Sequence, residues 1–122
     1  MTDTRYEATS HYFPHERLVA YQLTEQALVF VAARKEPLRG LCGGMAGQLE
    51  RACAGAASNT CAGAAAKGEE ARRHFKIALS EAGEAGGCAK IAWRLGAFSD
   101  EEHAHLRALL LRTCACLRGL TG

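Results

Sequence analysis

Between Pro14 and Gly122 the apolar residues recur at helical spacing, and no stretch alternates with the period of two that marks a strand. Four helical segments follow, with short breaks between them. The first is predicted over 14–34, opened by Pro14, whose missing N–H is not needed in a first turn. Leu18, Val19, Ala20, Tyr21, Leu23, Ala27, Leu28, Val29, Phe30 and Val31 cover most of its circumference, leaving a narrow polar stripe at His15, Gln22 and Gln26. A surface helix is apolar on one side only, so the excess predicts a subunit interface along this helix, carried by Leu18, Tyr21, Leu28, Phe30 and Val31. Glu36-Pro-Leu-Arg-Gly40 breaks the pattern. The second helix is predicted over 41–65, with Leu41, Met45, Leu49, Ala52, Cys53 and Ala56 on its inner line. Gly43, Gly44, Gly47 and Gly55 conflict with it, since each interior glycine costs roughly 0.8–1 kcal/mol relative to Ala. Either they allow close helix approach, or strong packing tolerates them.

The third helix, over 69–95, has the clearest seam: Ala71, Phe75, Ala78, Ala82, Ala85, Ala89 and Ala92, spaced alternately by four and three as in a left-handed bundle. Leu79, Gly86 and Trp93 form a second line beside it. Glu69 and Glu70 at its start and Arg94 at its end complement the helix dipole. Gly96 is a stop signal, and Ser99 with Glu102 three residues on forms a capping box. The fourth helix is predicted over 100–118, with Leu106, Leu109, Leu110, Thr113, Leu117 and Leu120 facing inward, and Gly119 to Gly122 fraying. Short connections make antiparallel neighbours. The expected fold is therefore all-α: an antiparallel up-and-down four-helix bundle over 13–122, preceded by a flexible tail over 1–12.

Composition adjusts this picture in two ways. Apolar residues make up 48% of the 122 and aromatics 7%, so the core must be built from short side chains and closely spaced backbones. The formal charge of +2 does not by itself call for a nucleic-acid or membrane partner. No run reaches the ~18 apolar residues of a membrane span, and MTDTRYEATSHYF has neither the basic start nor the apolar stretch of a secretory leader. A cytoplasmic chain is expected, with its six cysteines reduced and mostly serving as packing residues.

Candidate chemistry is sparse, and the expectation is a protein that is not an enzyme and holds no cofactor. A bundle di-metal site needs two Glu-x-x-His pairs. Glu102 to His105 is the single copy, and Glu102 is better read as a cap. Cys114 and Cys116, like His103 and His105, lie two apart, pointing about 160° away from each other on a helix, so neither pair chelates one ion. Thiols or histidines gathered from several helices remain the least favoured alternative. No phosphate-binding glycine loop is present, since Gly40-Leu-Cys-Gly-Gly lacks the Lys-Ser/Thr of one. One basic cluster remains, Lys67, Arg72, Arg73, His74 and Lys76. It reads either as phosphate contact, with Arg51 contributing, or as a solvated face that Glu69 and Glu70 partly neutralise. The second is preferred, because general nucleic-acid binders are more basic overall.

Four segments, in order and at matching spacing, carry a family likeness across residues 13–120. They are Phe13-Pro-His-Glu-Arg-Leu-Val-Ala-Tyr, Gln48-Leu-Glu-Arg-Ala-Cys leading to Ser58-Asn-Thr-Cys-Ala-Gly, Phe75-Lys-Ile-Ala-Leu-Ser-Glu-Ala-Gly-Glu, and Trp93-Arg-Leu-Gly before the Ser99 cap. In these the chain resembles the helical proteins encoded by intervening sequences of bacterial 23S ribosomal RNA genes. It also resembles their relatives, the accessory variability determinants of diversity-generating retroelements. Glu50 stands where the family has a first Arg before Arg51, the Pro before Ser-Asn is missing, and Ala62 replaces a common Glu. The resemblance implies a helical bundle that assembles into a ring, commonly a homopentamer, and does not imply an enzyme. The retroelement relatives bind a reverse transcriptase and nucleic acid through a strongly basic surface, which this chain largely lacks.

Overall fold

The computed structural model describes residues 12–122; the tail expected over 1–12 lies, apart from Tyr12, outside them. The chain is all-helical, with no strand among the described residues. The described residues form five α-helices: α1 (Val19–Ala32), the one-turn α2 (Lys35–Leu38), α3 (Met45–Ala65), α4 (Gly68–Arg94) and α5 (Asp100–Thr121).

Several boundaries differ from the sequence reading, each for a local reason. Pro14 opens a 3-10 turn, Pro14–Arg17, closed by a hydrogen bond from the Phe13 N–H to Glu16 Oε1 at 2.9 Å. Leu18 is extended (ψ 120°), so α1 begins only at Val19. The break after α1 contains a helical turn of its own, which inserts Leu38 into the core. Gly43 and Gly44 take positive φ of 58° and 76°, which only glycine adopts cheaply, and so α3 starts at Met45 rather than Leu41. At the C-terminus α5 runs on to Thr121, whose hydroxyl bonds the Arg118 carbonyl.

Each of the four long helices packs against two others: α1 against α3 and α5, and α4 against α3 and α5. Two of these pairs show their residue order through individual contacts. Gly55 faces Glu81 while Gly63 faces Phe75, and Arg34 meets Glu102 while Ala20 shares a cluster with Leu117. The bulky part of the core lies where α1 ends and α5 begins, around Leu23, Val31, Leu38, Leu49, Phe98 and Leu106. The opposite end is held by Ala20, Phe75, Ala78 and Leu117. Between them the α4 seam is buried from Phe75 to Ala92, and Ala71 is half-buried. Leu120, expected inside, is 37% exposed in the last turn.

Of the four glycines expected to allow close approach, a Cβ at Gly43 or Gly44 would meet nothing within 4 Å and one at Gly47 only the Arg51 side chain; the tight contact falls instead at Gly63, where a Cβ would come within 2.6 Å of the Phe75 ring. At Gly55 it would meet the Glu81 carboxylate at 3.0 Å. Buried Thr60 and Thr113 donate to the carbonyls four residues back, Ala56 and Leu109, at 2.7 and 2.8 Å. No buried side-chain polar atom among the described residues lacks a partner.

Candidate functional site

The basic cluster occupies the first turns of α4. Lys67 is the exposed residue preceding the helix, and Arg72, Arg73 and Lys76 line a shallow depression of about 370 Å³ together with Glu69 and Glu70. Arg72 pairs with Glu69 one turn back, and His74 Nδ1 lies 3.4 Å from Asn59 Oδ1 on α3. Three cations against two carboxylates leave a weak local excess. Arg51 does not join them. Since Gly55 faces Glu81 and Gly63 faces Phe75, Arg51 sits level with residues near Ala85, roughly 20 Å along α4 from Arg72 at 1.5 Å per residue.

The predicted interface residues divide. Val31 is 1% exposed and part of the core, which corrects its placement at a surface: it lies on the α1 face that turns inward with Leu23 and Ala27. Leu18, Tyr21, Leu28 and Phe30 are half-buried. The outward face carries Val19, Gln22, Glu25, Gln26, Val29 and Ala32, with Val29 63% and Val19 49% exposed. Glu25 is the only formal charge in the 14 residues of α1. The Tyr21 phenol, hydrogen-bonded to the Glu25 carboxylate, is pushed up to about 12 and stays protonated. A groove of about 490 Å³ runs beside this face, between α1 and His105 of α5.

Near the end of α1, Glu102 joins helices. One carboxylate oxygen accepts the Ser99 N–H at 2.9 Å and the other accepts Arg34 Nε at 2.8 Å, while Ser99 Oγ accepts the Glu102 N–H at 3.1 Å. These bonds hold its carboxyl below the usual carboxylate range. The expected capping box is therefore present, and it carries an ion pair to Arg34, in the break between α1 and α2, as well. Arg34 also lies over the Phe30 ring, 3.5 Å from its centroid. His103 and His105 diverge as helical geometry requires. His105 sits 5.1 Å from Phe30, whereas buried His103 stacks flat on Trp93 at 4.4 Å. Burial, aided by Arg107 and Lys90, lowers the His103 pKa. Trp93 Nε1 donates to Asp100 Oδ1 at 2.9 Å.

Cys53, Cys88 and Cys114 are buried, Cys61 and Cys116 half-buried, and all five are free thiols. Burial pushes Cys53 up to about 12 and raises Cys61, Cys88 and Cys114. Deprotonation, which metal binding and nucleophilic attack both require, is thus disfavoured at these four. Among the described residues no three His, Cys, Asp or Glu side chains gather in a metal-binding arrangement. No helix among them is long and apolar enough to cross a membrane.

One surface escaped the sequence reading. Between α4 and α5 runs a groove of about 330 Å³, floored by Ala82, Gly83, Gly86 and Gly87 and walled by Leu110, Leu111 and Cys114. Lys90, Arg107 and Arg118 complete its lining, with no acidic residue. Gly83, Gly86 and Gly87 with Lys90 were its only sequence signal, masked by the stronger alanine seam one step round the helix. Compared with known proteins, the chain matches no family model and no curated sequence.

Proposed function

We propose that this chain is a non-enzymatic, self-associating helical module. It is built as an antiparallel up-and-down four-helix bundle, which the paired helices and their opposed residue order support. The observation that carries the functional reading is the outward face of α1. An exposed helix face that sets two open valines among two glutamines and a single formal charge is cheap to desolvate, which suits it to being covered by a partner. Leu18, Tyr21, Leu28 and Phe30 border it. The sequence likeness to the 23S intervening-sequence proteins supports the same role, with a cytoplasmic homopentamer as the expected assembly and no cofactor. Light scattering across micromolar concentrations tests it. The expected mass is a multiple of the 13.0 kDa subunit, and a mass that stays at one subunit throughout ends the proposal.

A second reading, association with nucleic acid or a reverse transcriptase, draws on the exposed Arg73 and Lys76, which have no ion pair among the described residues. Fluorescence anisotropy with labelled RNA and DNA at low salt tests it. Binding that weakens steeply as salt rises and is lost in Arg72→Glu/Arg73→Glu favours it; absent binding, or binding unmoved by the variant, removes it.

A further inference from the structure

The α4–α5 groove is out of keeping with its own fold. A Cβ added at Gly83, Gly86 or Gly87 would meet nothing within 4 Å. The chain's own packing therefore does not require glycine there, although each one weakens the helix by roughly 0.8–1 kcal/mol relative to Ala. Their effect is external: they lower the floor between two helices so that another backbone can approach closely. The wall adds Leu111, 55% exposed, and the rim is wholly cationic. Arg107 and Arg118 are eleven residues apart on α5, about 16 Å or three turns, so the trough has the length of a short helix.

We infer that this groove receives the outward face of α1 from a second copy of the chain. The inference rests on the self-association proposed above and supplies the missing half of its contact. Charge selects the pairing. Two grooves face to face would oppose three cations with three, a repulsion that disfavours a contact symmetric about them. The α1 face carries no cation between Val19 and Ala32, and its one charge, Glu25, is acidic. Its exposed Val19 and Val29 suit the Gly and Leu surface, and Glu25 suits the cationic rim. Position then sets the symmetry. α1 packs on α3 and α5 while α4 packs on α3 and α5, so α1 and α4 occupy opposite corners and the two surfaces face different ways. Each copy gives its α1 face to one neighbour and its groove to another. This contact is heterologous, and it builds a ring where the rotation between copies closes and an open filament where it does not.

Two variants test the pairing in the full chain after nuclease treatment. Gly86→Leu fills the groove from a position where a Cβ meets nothing within 4 Å, and Val29→Glu charges an exposed site, so both should keep the wild-type helical circular dichroism. Arg107→Glu is a second groove variant should Gly86→Leu fail to fold. By sedimentation velocity, each variant alone is expected to lose every species above one subunit. An equimolar mixture of groove and α1 variants should recover a two-subunit species, because one intact groove meets one intact α1 face. If Gly86→Leu and Arg107→Glu associate as the wild type does, the groove assignment falls and self-association stands. A mixture that stays at one subunit overturns the head-to-tail pairing. Wild-type association that vanishes on nuclease treatment also overturns it, placing nucleic acid in the groove instead. A wild type that is monomeric throughout removes both proposals.

Discussion

Phe75 closes one end of the core only because α3 offers it Gly63. Adding a methyl group at Gly63 forces the ring or the helix aside, and overpacking of this kind typically costs about 1–3 kcal/mol. At Gly119 a Cβ meets nothing, and alanine brings only its better helix propensity. Chemical denaturation should therefore show opposite signs: Gly63→Ala losing about 1–2 kcal/mol net, Gly119→Ala gaining up to about 0.8 kcal/mol. His103 gives a second residue-level expectation. Its folded pKa is lowered from 6.5 by burial and by Arg107 and Lys90. Below 6.5 the unfolded chain takes up a proton that the folded one resists. The stability tied to neutral His103 is thus complete above 6.5 and lost as pH falls toward the folded pKa. Urea midpoints measured from pH 7.5 to 5 should fall, and His103→Gln should flatten that fall. An equal slope in the variant would assign the loss to other groups.

Among the elements, α5 owes its sharp start to Ser99. Removing the hydroxyl leaves a first-turn N–H without its partner, and Ser99→Ala should lower stability by about 1 kcal/mol in the same denaturation assay. The bond that orients the Glu102 carboxylate is donated by the Ser99 backbone N–H, which alanine keeps, so the variant should leave the Arg34 contact in place. This cap was legible in the sequence because capping is local, set by two residues three apart. The inner faces of α3, α4 and α5 were legible for a related reason: periodicity reports burial wherever one stripe is apolar and the rest polar. The start of α1 was not. Leu18 looks helical by type, and its extended backbone follows from the 3-10 turn that Pro14 and Glu16 close before it. The inward position of Val31 was hidden too, since a helix apolar nearly all round has no polar side to orient it. The α4–α5 groove depends on which glycines meet a neighbour and which meet none. Composition is the same at Gly63 and Gly86, and only the packing separates them.

For the whole molecule, charge placement carries more than net charge. A formal +2 conceals an α4–α5 groove bordered by three cations and an α1 face with one carboxylate. Attraction between such faces is screened by salt, whereas apolar contact is not weakened in that way. The proportion of each in the proposed self-association should therefore appear in how its dissociation responds to ionic strength. The alanine seam has a different consequence. Ala78, Ala82, Ala85, Ala89 and Ala92 are buried without any rotamer to freeze. Ordering this stretch costs backbone entropy alone, while a leucine in the same place would surrender side-chain freedom as well. The seam also leaves the helices no adjustable filler between them. It works as a fixed gauge of their separation, so the spacing of α4 from its neighbours, and with it the width of the groove on its outer side, is set by the size of a methyl group.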